Sequence, residues 1–146
     1  MNCLSITKNG LVLAILLALS GCSLVAISPY DSSADKAITK LHKQTAEFFA
    51  DSSKASDEPG CGYPHHLRFY QNSKISMSSL LVRARAMADN SLTVSQLKVL
   101  SSSYVNLAQL HQLGCFTPAQ VSELWGSFDA SFSAILKLEL AKKYAR

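Results

Sequence analysis

Hydrophobic positions recur along this chain with two rhythms, one continuous and one helical. Leu11 to Leu19 is an unbroken apolar run of nine residues. After Pro29 the pattern changes to single apolar residues spaced three and four apart, the period of a helix that buries one face. Ala34, Ala37, Ile38, Leu41, Thr45, Phe48 and Phe49 form the first such stripe and predict a helix from Asp31 or Ser33 to Asp51. Asp31, Ser32 and Ser33 are all suited to cap it, and Asp35 suits its first turn. Residues 52–64 break the pattern with Ser, Asp, Pro and Gly, centred on Pro59-Gly60-Cys61-Gly62.

A second stripe, Tyr70, Ser73, Met77, Leu80, Leu81, Ala84 and Met87, predicts a helix from His65 to Ala88, closed by Asp89-Asn90-Ser91. Arg83 and Arg85 flank it and are expected in solvent or against acidic neighbours. The third runs from Thr93 to Leu113 through Leu97, Leu100, Ser101, Tyr104, Leu107, Ala108 and His111, with Gly114 placed as its C′ residue. Thr117-Pro118-Ala119-Gln120 then carries a capping box with proline at the first helical position. The fourth helix follows to Lys143 along Val121, Leu124, Trp125, Phe128, Phe132, Ile135 and Leu136, with Glu139 and Lys143 expected to pair at i,i+4.

Four long helices joined mostly by short turns predict an all-α, up-down-up-down four-helix bundle over residues 31–146. That topology puts the start of the second helix and the end of the third at one end. The N-terminal segment and the basic C-terminus, Lys142, Lys143 and Arg146, fall at the other.

The apolar run at the start follows a single charge, Lys8, and ends in small residues. As a helix it is about 14 Å long, roughly half of what a hydrocarbon core requires. A cleaved export signal over residues 1–21 is therefore expected rather than a spanning helix. Leu19-Ser20-Gly21-Cys22 resembles the lipobox of bacterial lipoproteins. The resemblance implies cleavage before Cys22, a thioether-linked diacylglycerol on its sulfur and acylation of its new amino group. The bland alternatives are secretory cleavage nearby or a chance cysteine. Ser23, where Asp resembles an inner-membrane retention signal, points to the outer membrane of a Gram-negative envelope, facing the periplasm. Residues 22–30 then form a short tether.

Processing sorts the cysteines. Cys3 leaves with the signal and Cys22 carries lipid, which leaves Cys61 and Cys115 as an even pair in an oxidising compartment. A disulfide is the expected state, and the topology brings both to one end of the bundle. The rival readings, two metal-ligand thiolates or a redox pair, lack a CxxC spacing and a neighbouring helical His pair.

The whole chain has 14 basic and 10 acidic residues. Losing Lys8 leaves 13 against 10, too weak and too dispersed for a nucleic-acid surface. Lys142, Lys143 and Arg146 are expected to face the membrane, where each basic side chain adds up to about 1 kcal/mol on an anionic leaflet. Lys36, Lys40 and Lys43 share a flank read as a solvated face.

Candidate chemistry is sparse. His42, His65, His66 and His111 contain no i,i+4 pair on one helix, so no metal site is expected. No serine stands in a nucleophile motif, no glycine-rich loop is present to cradle phosphate, and Glu47, Glu123 and Glu139 lie on separate helices. No catalytic residue and no cofactor is expected. Trp125 and the phenylalanines sit at core spacing, and Ser101, Ser127 and Ser131 read as small residues at close helix approaches.

Ser28-Pro29-Tyr30-Asp31 after the tether and the terminal Ile135-Leu136-Lys137-Leu138-Glu139-Leu140-Ala141-Lys142-Lys143 are similar to the small helical-bundle lipoproteins of Gram-negative bacteria. That group has no assigned activity and brings no catalytic residues. The expected function is non-enzymatic: a lipid-anchored envelope component that binds another envelope protein or supports an assembly. The alternative is a small apolar-ligand binder with a pocket between helices lined by Tyr70, Met77, Tyr104 and Trp125.

Overall fold

The computed structural model describes residues 27–54 and 58–145. The expected export signal over residues 1–21, Cys3, Cys22 and Arg146 lie outside the described residues. Helix α1 spans Ser32–Lys54, a 3-10 turn covers Tyr63–His66, and α2 spans Leu67–Arg85. Helices α3 and α4 span Ser91–Gln112 and Pro118–Tyr144. Each helix packs on its two neighbours, α1 against both α2 and α4, and among the described residues the diagonal pairs make no close backbone approach. This is the four-helix bundle that the stripes predict.

The helix ends follow from local chemistry. Asp31 caps α1, its Oδ1 accepting from the Ser33 and Ala34 amides at 3.0 and 3.2 Å. Thr117 caps α4 with both arms of the capping box formed. Helix α2 begins later than expected because Pro64 is accommodated in the 3-10 turn, and it ends three residues earlier, at Arg85. There the Asn90 side chain donates to the Ala84 carbonyl at 2.9 Å. Asp89 turns the chain in the left-handed region, at φ 56°, a conformation Asp tolerates better than most residues.

The core is mostly aliphatic and aromatic: Ile38, Leu41, Met77, Leu97, Leu100, Leu107, Phe132 and Ile135 are all but sealed from solvent. Burying a side chain of this kind contributes about 1.5–3 kcal/mol. Cys61 and Cys115 are joined by a disulfide with Cα atoms 5.4 Å apart, at the end where α2 starts and α3 finishes. The opposite end, here called the base, gathers the entry to α1, the α2–α3 turn and the last turns of α4.

Of the expected 22–30 tether, residues 27–30 are described. Ser28 is buried in the base, its amide donating to the Asp89 carbonyl at 3.0 Å and its hydroxyl to Asn90 Oδ1 at 2.8 Å.

Candidate binding groove and buried polar layers

Three polar layers interrupt the core, one near each end and one between. At the disulfide end His111, 1% exposed, bridges two elements. Its Nε2 lies 2.6 Å from the Cys61 carbonyl, which can only accept, so that nitrogen carries the proton. Its Nδ1, 2.7 Å away from Tyr70 Oη, therefore accepts from the tyrosine hydroxyl. Burial pushes the His111 pKa below the usual imidazole range, against a smaller opposing contribution from the Cys61 carbonyl, and the ring is neutral. His66, 5.2 Å from it ring to ring, is also pushed down, chiefly by burial. In the middle layer the Tyr104 hydroxyl donates to Thr45, whose own hydroxyl donates to the Leu41 carbonyl at 2.8 Å.

The base layer overturns one expectation. Lys142 does not face a membrane: it is 4% exposed, with its ammonium inside the bundle. It donates to Asn90 Oδ1 and Thr93 Oγ1, each at 2.7 Å, and to Glu139 Oε1 at 2.6 Å. These three bonds satisfy all three of its protons. Glu139 is 1% exposed and pairs with Lys142 rather than Lys143, while its Oε2 has no partner among the described residues. The signal for this was present in the sequence. The core stripe Phe128, Phe132, Ile135 continues with the same four-three spacing onto Glu139 and Lys142, so the periodicity buries them despite their charge.

Lys143 is exposed and rests its ammonium 5.5 Å from the centre of the Tyr30 ring. Arg83 pairs with Asp31, one bond being 2.8 Å. That guanidinium, with the Ala34 and Ser33 amides, holds the Asp31 carboxyl below the usual carboxylate range although burial opposes it.

An open groove of about 700 Å³ lies between α2 and α3. Tyr70, Met77 and Tyr104 form its floor. Leu67, Leu81, Val105 and Ala108 give it apolar walls, and Lys74, Gln71, Gln109 and Gln112 line it with cation and amides but no carboxylate. The structure thus brings together three of the four residues expected around a pocket. Trp125 is elsewhere: it stacks on His42 with ring centroids 5.4 Å apart and lines a depression of about 280 Å³ between α1 and α4. His42 is held there by Asp129 at 2.9 Å.

No group of three or more His, Cys, Asp or Glu among the described residues is placed to hold a metal ion. No described helix is long and apolar enough to cross a membrane. No protein-family model, curated protein or solved structure matches the chain.

Proposed function

We propose that this chain is a lipid-anchored, non-enzymatic envelope protein whose α2–α3 groove docks an apolar segment of a partner envelope protein. The anchor is Cys22, acylated after cleavage at the lipobox, and the membrane is the outer one, with the bundle in the periplasm. The observation that carries the reading is the groove itself. It is open, apolar along its walls, and bears one cation and no carboxylate. Those properties suit an amphipathic helix that presents apolar side chains to the walls and an acidic residue to Lys74. The buried polar groups at the two ends bond mainly to one another and, Tyr70 apart, lie within the bundle rather than in the groove.

A photo-reactive amino acid at Val105, on the groove wall, tests this in intact cells against the same group at Val99, on the exposed outer side of α3. A protein adduct of one defined mass from Val105 alone is expected. Lipid adducts only, or equal labelling from both positions, would refute the docking site.

The small-ligand reading draws support from Tyr70, Met77 and Tyr104 lining the same groove. The floor counts against it. All three are buried against the core, whereas a small-molecule site encloses about 70–90% of its ligand. A thermal shift with a single apolar compound, abolished by Ala108→Trp, would favour this reading over the first.

A further inference from the structure

We propose that the base of the bundle is a membrane-seating surface, and that the domain stands on the bilayer through apolar and aromatic side chains rather than through the basic C-terminal patch. The inference rests on the anchor at Cys22 and adds to it the surface that meets lipid. Four observations carry it.

The chain outside the structure enters at the base. Ser28 is bonded to Asp89 and Asn90, so only the six links from Cys22 to Ser28 are available as tether. Fully extended they span about 20 Å. With acyl chains on Cys22 in the bilayer, the base cannot leave the headgroup region by more than that.

Large apolar side chains are exposed at that end. Ile27, Leu92, Leu140 and Tyr144 are 47%, 54%, 43% and 77% exposed. Hydrogen bonds gather the segments that carry them at this end of the bundle. Ile27 precedes the pinned Ser28, Leu92 lies between Asn90 and Thr93, and Leu140 and Tyr144 flank Lys142, which bonds both Asn90 and Thr93.

The chemistry of these side chains suits the boundary between headgroups and acyl chains. Tyrosine prefers that depth because its ring is apolar and its hydroxyl is wet. Lys143 and Arg85 sit at the same end on long stems that reach headgroup oxygens while leaving the apolar residues forward. Asp89 is the exposed carboxylate of the α2–α3 turn, and it offsets part of that cationic charge.

Lys142 supplies no attraction to lipid, because its ammonium is enclosed with Glu139. An electrostatic seat of the expected kind therefore loses one of its charges, and the exposed apolar residues take the leading part. The orientation that results sends the α2–α3 groove away from the membrane. From Leu81 to Leu67 it rises about 20 Å along α2, towards the disulfide end.

Depth-dependent quenching tests the seat on the full chain purified with its natural N-terminus. Leu140→Trp and Leu113→Trp are compared, each in a Trp125→Phe background with thermal unfolding checked, in vesicles of phosphatidylethanolamine and phosphatidylglycerol. Part of the lipid is brominated near the top of the acyl chains. The Leu140→Trp emission is expected to fall about twofold, as for a side chain held about 5–10 Å into the boundary. Leu113→Trp, at the disulfide end, should stay unquenched. Equal emission from both, with the mass of the protein showing an acylated Cys22, overturns the seat and leaves the anchor standing. Chemical crosslinking of two copies through the base in place of quenching overturns it as well. An unacylated chain that still shows the Leu140→Trp quenching supports the seat and refutes the anchor. An unacylated chain that stays off the vesicles refutes both.

Discussion

Lys142 and Glu139 show how a single position changes meaning with its surroundings. Their charges have left water together, and the three donors of Lys142 are matched by Asn90, Thr93 and Glu139. Removing one partner of such a pair strands the other charge in the interior. Lys142→Met is therefore expected to destabilise the bundle by about 3–5 kcal/mol, read by urea unfolding. Lys142→Met with Glu139→Leu should recover most of that loss, because an apolar pair of similar volume leaves no stranded charge. Failure of the double variant to recover would mean that the Asn90–Thr93 layer depends on the ammonium itself. His111 makes a second prediction at this scale. Its pKa is lowered in the folded state, so below pH about 6.5 the unfolded chain takes a proton that the folded one refuses. Stability is complete above that pH and falls as pH drops through the window towards the folded value, with His66 acting in the same direction. His111→Gln, which keeps a donor for Cys61 and an acceptor for Tyr70, should show a shallower fall in melting temperature between about pH 7 and pH 5.

The elements depend on these residues for their limits. Thr117 and Gln120 exchange bonds at the start of α4, and Thr117→Ala should cost about 1 kcal/mol, visible as a shift of the unfolding midpoint at unchanged slope. The Cys61–Cys115 disulfide closes a loop over a sequence separation of 54. In the chain-entropy account that is worth about 4 kcal/mol. Reduction, or Cys61→Ser with Cys115→Ser, should lower the melting temperature accordingly while helix content measured by circular dichroism is kept. The reason is that the His111 ring still holds the Cys61 carbonyl to α3, so the long first loop retains a second fastening at the same end. A bundle that lost its helices on reduction would show that this fastening is too weak to act alone.

At the scale of the molecule, the three polar layers tie different helices to one another. Tyr70 on α2 meets His111 on α3, Thr45 on α1 meets Tyr104 on α3, and Lys142 on α4 meets Asn90 and Thr93 at the start of α3. No helix can slide along its neighbour without unpairing a buried group, which is how buried polar contacts specify register. Coupling of this kind predicts one cooperative unfolding transition. Trp125 fluorescence, which reports the α1–α4 face through His42, and far-ultraviolet circular dichroism, which reports all four helices, should give the same midpoint. Separate midpoints would mean that α1 and α4 part from the rest first.

Helix count, helix order, the capping box and the disulfide were all legible in the sequence. Each is set by local chemistry or by a period of about 3.6, and once the topology is known the cysteine pairing follows from which ends meet. The sequence also placed Tyr70, Met77 and Tyr104 on inward stripes. What it did not supply was the angular position of each stripe against its neighbours. That angle, decided by packing, opens a groove over Tyr70, Met77 and Tyr104 and turns Trp125 to the other side of the bundle. Charge was the other obstacle. Glu139 and Lys142 continue the core period of α4, yet a charged side chain stays buried only where partners from another helix meet it. Asn90 and Thr93 reach Lys142 through the tertiary fold and through nothing written near it in the chain.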